Sequence, residues 1–113
     1  RIALENFAAF DTPLCFFGHT HVPVIYQEEL DGSLRRGTEI EARLVPDGAR
    51  WLVNPGSVGQ PRDGDPRASY LLFEPDTGAV TFRRVAYDIA SVQEKILAAG
   101  LPSRLAARLD YGS

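Results

Sequence analysis

Apolar residues recur at helical spacing near both ends of the chain. Residues 2–10 have this spacing, and so do residues 89–99, where the apolar side chains fall on one face. Asp88 precedes the second pattern as a candidate N-cap, and Gly100 follows it, where helices commonly end. A further short helix is expected over 102–109, because proline is favoured in the first turn of a helix. The pattern therefore predicts one helix at the start of the chain and two near its end.

Between these helices the pattern is that of strands. Residues 14–17 form a continuous apolar run, which is typical of a strand buried on both faces. Asp31-Gly32 lies between two such segments and predicts a type I′ turn. In all, we expect three hairpin-like pairs of strands, each separated by turn residues. The pairs are 22–30 and 33–45, 38–45 and 50–54, and 69–74 and 79–87.

The last predicted strand changes its alternation partway along. Val80 and Phe82 point to one face, whereas Val85 and Tyr87 have the opposite phase. A bulge near Arg83-Arg84 would bring all four side chains to one face, so we expect a bulge there.

The longest segment without a helix or strand pattern is 55–68, and loops of this length are often functional. The order of elements is helix, strand, loop, mostly antiparallel strands and then helices. This order predicts an α+β layer structure and not a doubly wound parallel sheet. Four aromatic side chains are expected in its core: Trp51, Tyr70, Phe73 and Phe82.

The composition is that of an ordinary globular domain, with 113 residues of which 44% are hydrophobic and 24% charged. A net charge of −3 gives no general attraction to nucleic acid. No apolar run reaches the ~20 residues that cross a membrane.

The single cysteine, Cys15, fits a reducing, cytoplasmic location, and its place in an apolar strand favours a core role. Because the chain opens at Arg1 within a helical pattern and has no methionine, we expect it to be part of a longer polypeptide.

Both histidines of the chain lie in the run Gly18-His19-Thr20-His21, directly after the apolar segment 14–17. Residues two apart in a strand point to the same face, so we expect the two imidazoles to converge. Imidazole nitrogens are common ligands of Zn, Mn and Fe. For an H-x-H sequence taken alone, a pair of surface histidines without a role is the alternative.

The segments around this run are similar to a known family. Residues 14–23, LCFFGHTHVP, and residues 53–62, VNPGSVGQPR, resemble the last two signatures of the calcineurin-like phosphoesterases, in particular the small bacterial and archaeal phosphodiesterase branch. In that family an apolar strand ends in G-H-x-H and an N-P-G-S turn follows later in the chain; here Gly18 and Asn54 are 36 positions apart. The tail from Tyr87 into a helix is also similar, so the resemblance covers nearly the whole chain.

The resemblance implies that residues 1–113 are the C-terminal half of a single four-layer αββα domain, whose N-terminal half is absent from the sequence. It also implies two divalent metal ions (Mn, Fe, Zn or Ni), with His19 binding one ion and His21 the other, and an activated water that attacks a phosphate ester. The family's earlier motifs, D-x-H, G-D, G-N-H-[DE] and a further histidine, do not occur here. Two imidazoles are too few for two ions, so we expect the missing half to supply the other ligands and this chain to be inactive alone.

Other residues of the family-like segments are expected to shape the site or to bind substrate. Arg62 and Arg67 flank the acidic segment 63–65, and each is either a charge at the surface or a ligand for substrate phosphate. Arg62 is the better candidate for phosphate because it follows Gln60-Pro61 in the family-like segment. Structural roles beside the site, such as hydrogen bonds that brace loops, are expected for Gly18, Asn54, Gly56 and Ser57.

These features predict a metal-dependent phosphoesterase, with a phosphate ester as substrate and the N-terminal half of the domain as partner; association into a homo-oligomer is left open. The alternative is a phosphoesterase-like scaffold that binds other proteins without catalysis. A different H-x-H metalloenzyme, such as an amidohydrolase, fits less well, because its H-x-H ends an early barrel strand and alternating helices and strands follow.

Overall fold

The computed structural model describes residues 2–37, 41–43 and 49–113. The described helices are α1 (Ile2–Phe7), α2 (Ile89–Ala98) and α3 (Ser103–Ala107), followed by a 3₁₀ turn at Arg108–Asp110. The described strands are β1 (Leu14–Phe16), β2 (Val24–Glu28), β3 (Leu34–Gly37), β4 (Glu41–Arg43), β5 (Arg50–Asn54), β6 (Ala68–Glu74) and β7 (Ala79–Val85).

These strands form two sheets. One has four strands in the order β1-β5-β2-β3, in which β1 is parallel to β5 and the other pairs are antiparallel. The other sheet has three antiparallel strands in the order β4-β7-β6. Two sheets of mostly antiparallel strands together with helices confirm the predicted α+β class.

The core lies between the two sheets. Alternate side chains of a strand share a face, so each sheet turns one set of its side chains towards the other sheet. Trp51 and Val53 of β5 point into this space and are 5% and 0% exposed. Val80 of β7 meets them from the other sheet. Burial of apolar area here is the main term that holds the two sheets together. Partly buried side chains complete the cluster at its margin: Leu14, Leu71 and Phe82.

Helix α1 covers the opposite face of the four-stranded sheet. Phe7 is fully buried there, and Arg50 of β5 donates to the carbonyl oxygens of Phe10 at 2.6 Å and Phe7 at 2.8 Å. The same guanidinium is ion-paired with Glu28 at 3.0 Å and lies over both phenylalanine rings. A cation beyond the last turn satisfies carbonyl groups that have no partner within the helix. The helix therefore ends at Phe7, earlier than the predicted segment 2–10.

The two C-terminal helices begin and end close to the predicted residues. The Asp88 carboxylate accepts a hydrogen bond from the Ser91 N–H at 3.1 Å, which confirms Asp88 as the N-cap of α2. After α2, Gly100 has a φ of +75°, and the Leu101 N–H donates to the Ile96 carbonyl at 3.2 Å. This is the long bond of a Schellman motif, which requires a left-handed residue at Gly100.

The first hairpin forms as predicted, but its turn type is different. Glu29 and Ser33 close a three-residue loop in which the Gly32 N–H donates to the Glu29 carbonyl at 3.0 Å. Gly32 is left-handed, with a φ of +83°, and Asp31 is not. A type I′ turn needs a positive φ at both central residues, so the prediction is wrong. The loop is a type I turn followed by a left-handed glycine.

The second predicted hairpin, 38–45 with 50–54, is wrong. β4 pairs with β7 in the three-stranded sheet, whereas β5 pairs with β1 and β2 in the four-stranded sheet. The chain therefore passes from one sheet to the other between these strands, and local turn residues carry no signal for that choice. The predicted turn at 46–48 and the segment 38–40 lie outside the described residues.

The third hairpin forms, but the bulge expected near Arg83-Arg84 is wrong. β6 and β7 stay in register without interruption over their whole paired length. Val85 consequently lies on the face opposite to Val80 and is 51% exposed. Trp51 and Phe82 join the core as expected, whereas Tyr70 and Phe73 are at least one-third exposed. Phe73 belongs to the edge strand β6, and Tyr70, which pairs with Arg83, lies on the outer face of that strand.

One side of the sandwich is open in the described part of the chain. β1 and β6 are edge strands of the two sheets, and Phe16 of β1 contacts Phe73 of β6 with ring centroids 5.7 Å apart. These two side chains are 45% and 36% exposed. Among the described strands β5 alone pairs with β1. Burial of 14–17 on both faces is not reached within the described residues and stays a prediction for the longer polypeptide. We call Phe16, Phe73 and the free edges of β1 and β6 the open side.

The described structure is elongated, with extents of 51 × 27 × 19 Å. Its radius of gyration is 16.4 Å, whereas a compact domain of this length has about 13 Å. None of the described helices combines the length and the apolar character that crossing a membrane requires.

Candidate functional site

The run Gly18-His19-Thr20-His21 follows β1 as a bent loop and not as an extended strand. His19 and His21 have φ values of +80° and +62°, and they are the only residues other than glycine with positive φ in the described chain. Strand alternation therefore does not orient the two imidazoles, and the expectation that it brings them to one face is wrong. Histidine tolerates the left-handed region better than most residues, but the conformation persists only where surrounding contacts hold it.

Asn54, at the end of β5, is one of those contacts. Its side chain is fully buried, and its Nδ2 donates to Thr20 Oγ1 at 2.9 Å and to the Gly18 carbonyl at 3.3 Å. Its Oδ1 accepts from the Gly56 N–H at 2.9 Å. One buried amide thus joins the histidine loop to the Asn-Pro-Gly-Ser turn.

The turn itself is held against the start of β6. Gly56 has a φ of +90°, and a Cβ there would lie 2.6 Å from Ser69 Oγ and 2.9 Å from Pro23 Cγ. The Ser69 hydroxyl donates to the Pro55 carbonyl at 2.7 Å, and the Ser69 N–H donates to the Ser57 carbonyl at 2.9 Å. Glycine is therefore needed at position 56 for both backbone conformation and space.

Beyond the turn, the loop folds back onto His21. The Ser57 hydroxyl accepts from the Gln60 N–H at 2.9 Å, and Gln60 presents its carbonyl oxygen to His21 Nδ1 at 2.7 Å. A carbonyl oxygen can only accept, so His21 Nδ1 carries the proton and donates it. In the neutral imidazole the other nitrogen, Nε2, then keeps a lone pair. This is the arrangement by which a metal-binding histidine is oriented through its second nitrogen.

Arg62 lies beside this histidine. Its N–H donates to the His21 carbonyl at 3.2 Å, and its Nη2 donates to Gln60 Oε1 at 2.6 Å. The side chain is exposed. The backbone of Arg62 is thus hydrogen-bonded to the histidine loop, and its guanidinium lies at the surface.

The segment after Arg62 is an acidic tip, which we define as residues 63–67. Arg67 donates to both oxygens of Asp65 at 3.1 and 2.8 Å, so it is a surface ion pair. The hydrogen bonds from the Arg67 side chain and backbone, with a smaller contribution from the charge of Arg84, lower the pKa of Asp65 to about 2. In turn, Asp65 raises the pKa of Arg67. Arg84 of β7 also contacts Asp63 through its Nη2.

Three of the residues that hold this site were not identified from the sequence. Thr20 is the unnamed position of G-H-x-H, Gln60 contributes through its backbone carbonyl, and Arg84 lies 17 to 21 positions from the residues it contacts. The family-like segment 53–62 contains Gln60, but a backbone carbonyl leaves no signature in side-chain identity.

The donor set suits a transition metal but is incomplete. In the described part of the chain, no group of three or more His, Cys, Asp and Glu side chains could hold a metal ion. His21 fits a ligand role because its orientation is fixed and Nε2 is left with a lone pair. His19 is exposed on the same loop. Two imidazoles suit Zn, Mn, Fe or Ni, but they need further ligands to bind one firmly.

The chain is similar to several known proteins. It is 50% identical to a metallophosphoesterase of Sphaerobacter thermophilus, whose crystal structure superposes with a TM-score of 0.85 over all of this chain and 47% of that one. Over 99 residues, or 88% of this chain, it is 40% identical to the uncharacterized protein MJ0912 of Methanocaldococcus jannaschii, of which it covers 39%. The hypothetical protein PH1004 of Pyrococcus horikoshii shares the fold, with a TM-score of 0.62, 19% identity, and coverage of 97% of this chain and 35% of that one.

The chain thus spans less than half the length of the relatives it matches. Its residues 3–78 match the family model of the calcineurin-like phosphoesterase superfamily domain, and this range contains both the histidine loop and the Asn-Pro-Gly-Ser turn. The chain therefore belongs to the calcineurin-like phosphoesterase superfamily.

Proposed function

We propose that the complete polypeptide carrying this chain is a metal-dependent phosphoesterase, which hydrolyses phosphomonoesters or phosphodiesters with a water activated between two divalent metal ions. Membership of the superfamily supports the hydrolase class and the general use of divalent metals. The observation in this chain that carries the proposal is the hydrogen bond from His21 to the Gln60 carbonyl. That bond fixes the ring and leaves Nε2 as the metal-binding nitrogen.

In this proposal His19 and His21 each bind one of the two ions, for which Mn, Fe, Zn and Ni are candidates. When bound, the ions supply the activated water and neutralise charge on the phosphate. The left-handed backbone at both histidines supports a functional site over a scaffold that has lost catalysis. Such conformations cost roughly 1–3 kcal/mol each and are kept where a site requires them.

Arg62 is proposed to bind substrate phosphate. Its backbone is attached to the His21 carbonyl, so the guanidinium starts from a fixed point next to the histidine loop. Gln60 Oε1 occupies one Nη2 donor, and no other described residue accepts from the guanidinium, so its remaining N–H groups can donate to phosphate oxygens. Gly18, Asn54, Gly56 and Ser57 are proposed to hold the loops that carry these residues and to have no contact with the substrate.

The other half of the domain is proposed to pack on the open side. Free strand edges and exposed aromatic rings such as Phe16 and Phe73 are costly when left in water. Strands of the remaining polypeptide would extend both sheets there and bring the missing metal ligands close to the histidine loop, which directly follows β1.

The test is substitution of each histidine in the complete polypeptide, His19→Ala and His21→Ala. Each variant should lose bound metal and at least about a hundredfold of its turnover on an aryl phosphodiester and an aryl phosphomonoester, because each removes a ligand. Metal content is measured by elemental analysis, and a thermal melt checks folding. Near-normal turnover of either variant with Mn²⁺ supplied would contradict the proposal. A stable wild-type protein that binds no metal would favour the scaffold.

A further inference from the structure

Arg84 is attached to the acidic tip at several points. From β7, its Nη1 donates to the Arg67 carbonyl at 3.1 Å, its Nη2 contacts Asp63, and its Nε lies 3.8 Å from an oxygen of Asp65. The Arg84 side chain is only 18% exposed. One planar guanidinium therefore bridges both ends and the middle of a five-residue segment, which a single ammonium group cannot do.

A second contact covers the acidic tip from the C-terminal end of the chain. The Gly64 N–H donates to the Gly112 carbonyl at 2.9 Å, and a Cβ at Gly112 would lie 2.6 Å from the Asp65 backbone. Gly112 is buried. The tip is therefore held between β7 and the residues after α3.

The acidic tip directly follows the residues that contact the histidine. Arg62 donates its N–H to the His21 carbonyl, and Gln60 accepts the proton of His21 Nδ1. Only Pro61 separates these two contacts, and Asp63 comes next in the chain. A displacement of Asp63 is thus transmitted through very few backbone bonds to both contacts with His21.

We propose that Arg84 is a positioning residue for the histidine loop: it holds the acidic tip on β7, and the tip in turn keeps Gln60 and Arg62 against His21. The inference rests on the proposed role of His21 as a metal ligand. Without Arg84, Asp63 and Asp65 lose a shared positive partner and repel each other, which favours a looser tip. The Gln60 carbonyl then orients His21 for a smaller fraction of the time. Loss of such an outer contact lowers metal affinity by about 10- to 100-fold in characterised sites.

The experiment compares Arg84→Ala, Arg84→Lys and Arg83→Ala in the complete polypeptide. Arg83 is the matched control, because it is the neighbouring arginine on the opposite, exposed face of β7 and its removal changes the net charge equally. Amide hydrogen exchange at Arg62 in the metal-free protein reports whether the loop stays on His21. Competition with a chelator gives the affinity for Mn²⁺. Arg84→Lys serves as the second variant in case Arg84→Ala does not fold.

We expect Arg84→Ala to speed exchange at Arg62 and to weaken Mn²⁺ binding about 10- to 100-fold, with Arg84→Lys intermediate and Arg83→Ala unchanged. Unchanged exchange at Arg62 in a folded Arg84 variant would overturn the inference. Faster exchange with unaltered Mn²⁺ affinity would overturn it as well, since the tip would then not act on His21. If the wild type binds none of Mn²⁺, Fe²⁺, Zn²⁺ and Ni²⁺, the proposed function fails, and the exchange comparison alone still decides whether Arg84 holds the loop on His21.

Discussion

Asn54 donates a hydrogen bond to Thr20 Oγ1 at 2.9 Å from a side chain that is fully buried. Thr20 lies on the loop after β1 and Asn54 ends β5, and the bond between them ties the Asn-Pro-Gly-Ser turn to the run that contains both histidines. No other described side chain bonds to both the histidine run and the turn.

This relationship makes Asn54→Ala a sensitive variant. It removes the hydrogen bonds to Thr20 Oγ1, the Gly18 carbonyl and the Gly56 N–H, and a typical hydrogen bond contributes about 0.5–1.5 kcal/mol. We expect the complete polypeptide to lose about 2–4 kcal/mol in its free energy of unfolding, measured by urea titration. Asn54→Asp keeps the acceptor for Gly56 but removes the donor to the Gly18 carbonyl, which cannot donate in return, so it should also destabilise. An unchanged unfolding midpoint in both variants would contradict this account.

Gly56→Ala tests the second support of the site. The new methyl group would meet Ser69 Oγ at 2.6 Å on a backbone with a φ of +90°, so we expect a loss of about 1–3 kcal/mol in unfolding free energy. Gly59→Ala is the matched control on the same loop, because a Cβ there meets nothing within 4 Å. Equal unfolding midpoints for the two variants would show that position 56 has no special requirement for glycine.

Arg62→Ala separates substrate binding from metal binding. If the guanidinium contacts substrate phosphate, its removal should cost about 1.5–3 kcal/mol of transition-state stabilisation, which is measured as a fall in kcat/KM. The metal content should stay at the wild-type level. Arg83→Ala is the control, since that side chain lies on the exposed face of β7 and away from the histidine loop. If kcat/KM is unaltered in Arg62→Ala, then Arg62 is a surface charge that does not bind substrate.

The ion pair of Asp65 predicts a pH dependence of stability. Its pKa in the folded protein is about 2, below the ordinary value of 3.8, mainly because Arg67 donates to the ionised carboxylate. The stabilisation is therefore fully present above about pH 4 and is lost as the pH falls towards about 2. We expect the unfolding free energy of the wild type to drop more steeply across this window than that of Asp65→Asn. Parallel curves for the two proteins would contradict the expectation.

Residues 1–113 produced alone should lack phosphoesterase activity and bind divalent metal weakly, because the described residues offer two imidazoles and no third ligand beside them. The open side should also make this chain associate with itself, which light scattering would detect. Replacing Phe16 by Lys should reduce the association, whereas Leu30→Lys, at an exposed hairpin tip, should not. A monomer that hydrolyses phosphodiesters with bound metal would overturn both the ligand count and the role of the open side.

Local chemistry was sufficient to predict many elements from the sequence. The N-cap at Asp88, the helix end at Gly100, the outer hairpins and the irregular loop from residue 55 each depend on a few neighbouring residues, and the structure has them all. The α+β class follows from their order. The G-H-T-H and N-P-G-S runs indicated the superfamily for the same reason, since each is a short contiguous signature.

Tertiary structure decided what depends on distant partners. β4 and β5 belong to different sheets, and β1 and β6 are edge strands. The uninterrupted register between β6 and β7 leaves no bulge. The hydrogen bond from His21 to the Gln60 carbonyl and the attachment of Arg84 to the acidic tip join segments that are far apart in sequence. The left-handed backbone of both histidines persists only with contacts of this kind. The sequence alone determined which residue types stand at the site. Their orientation was set by backbone carbonyls and long-range contacts, which no local pattern encodes.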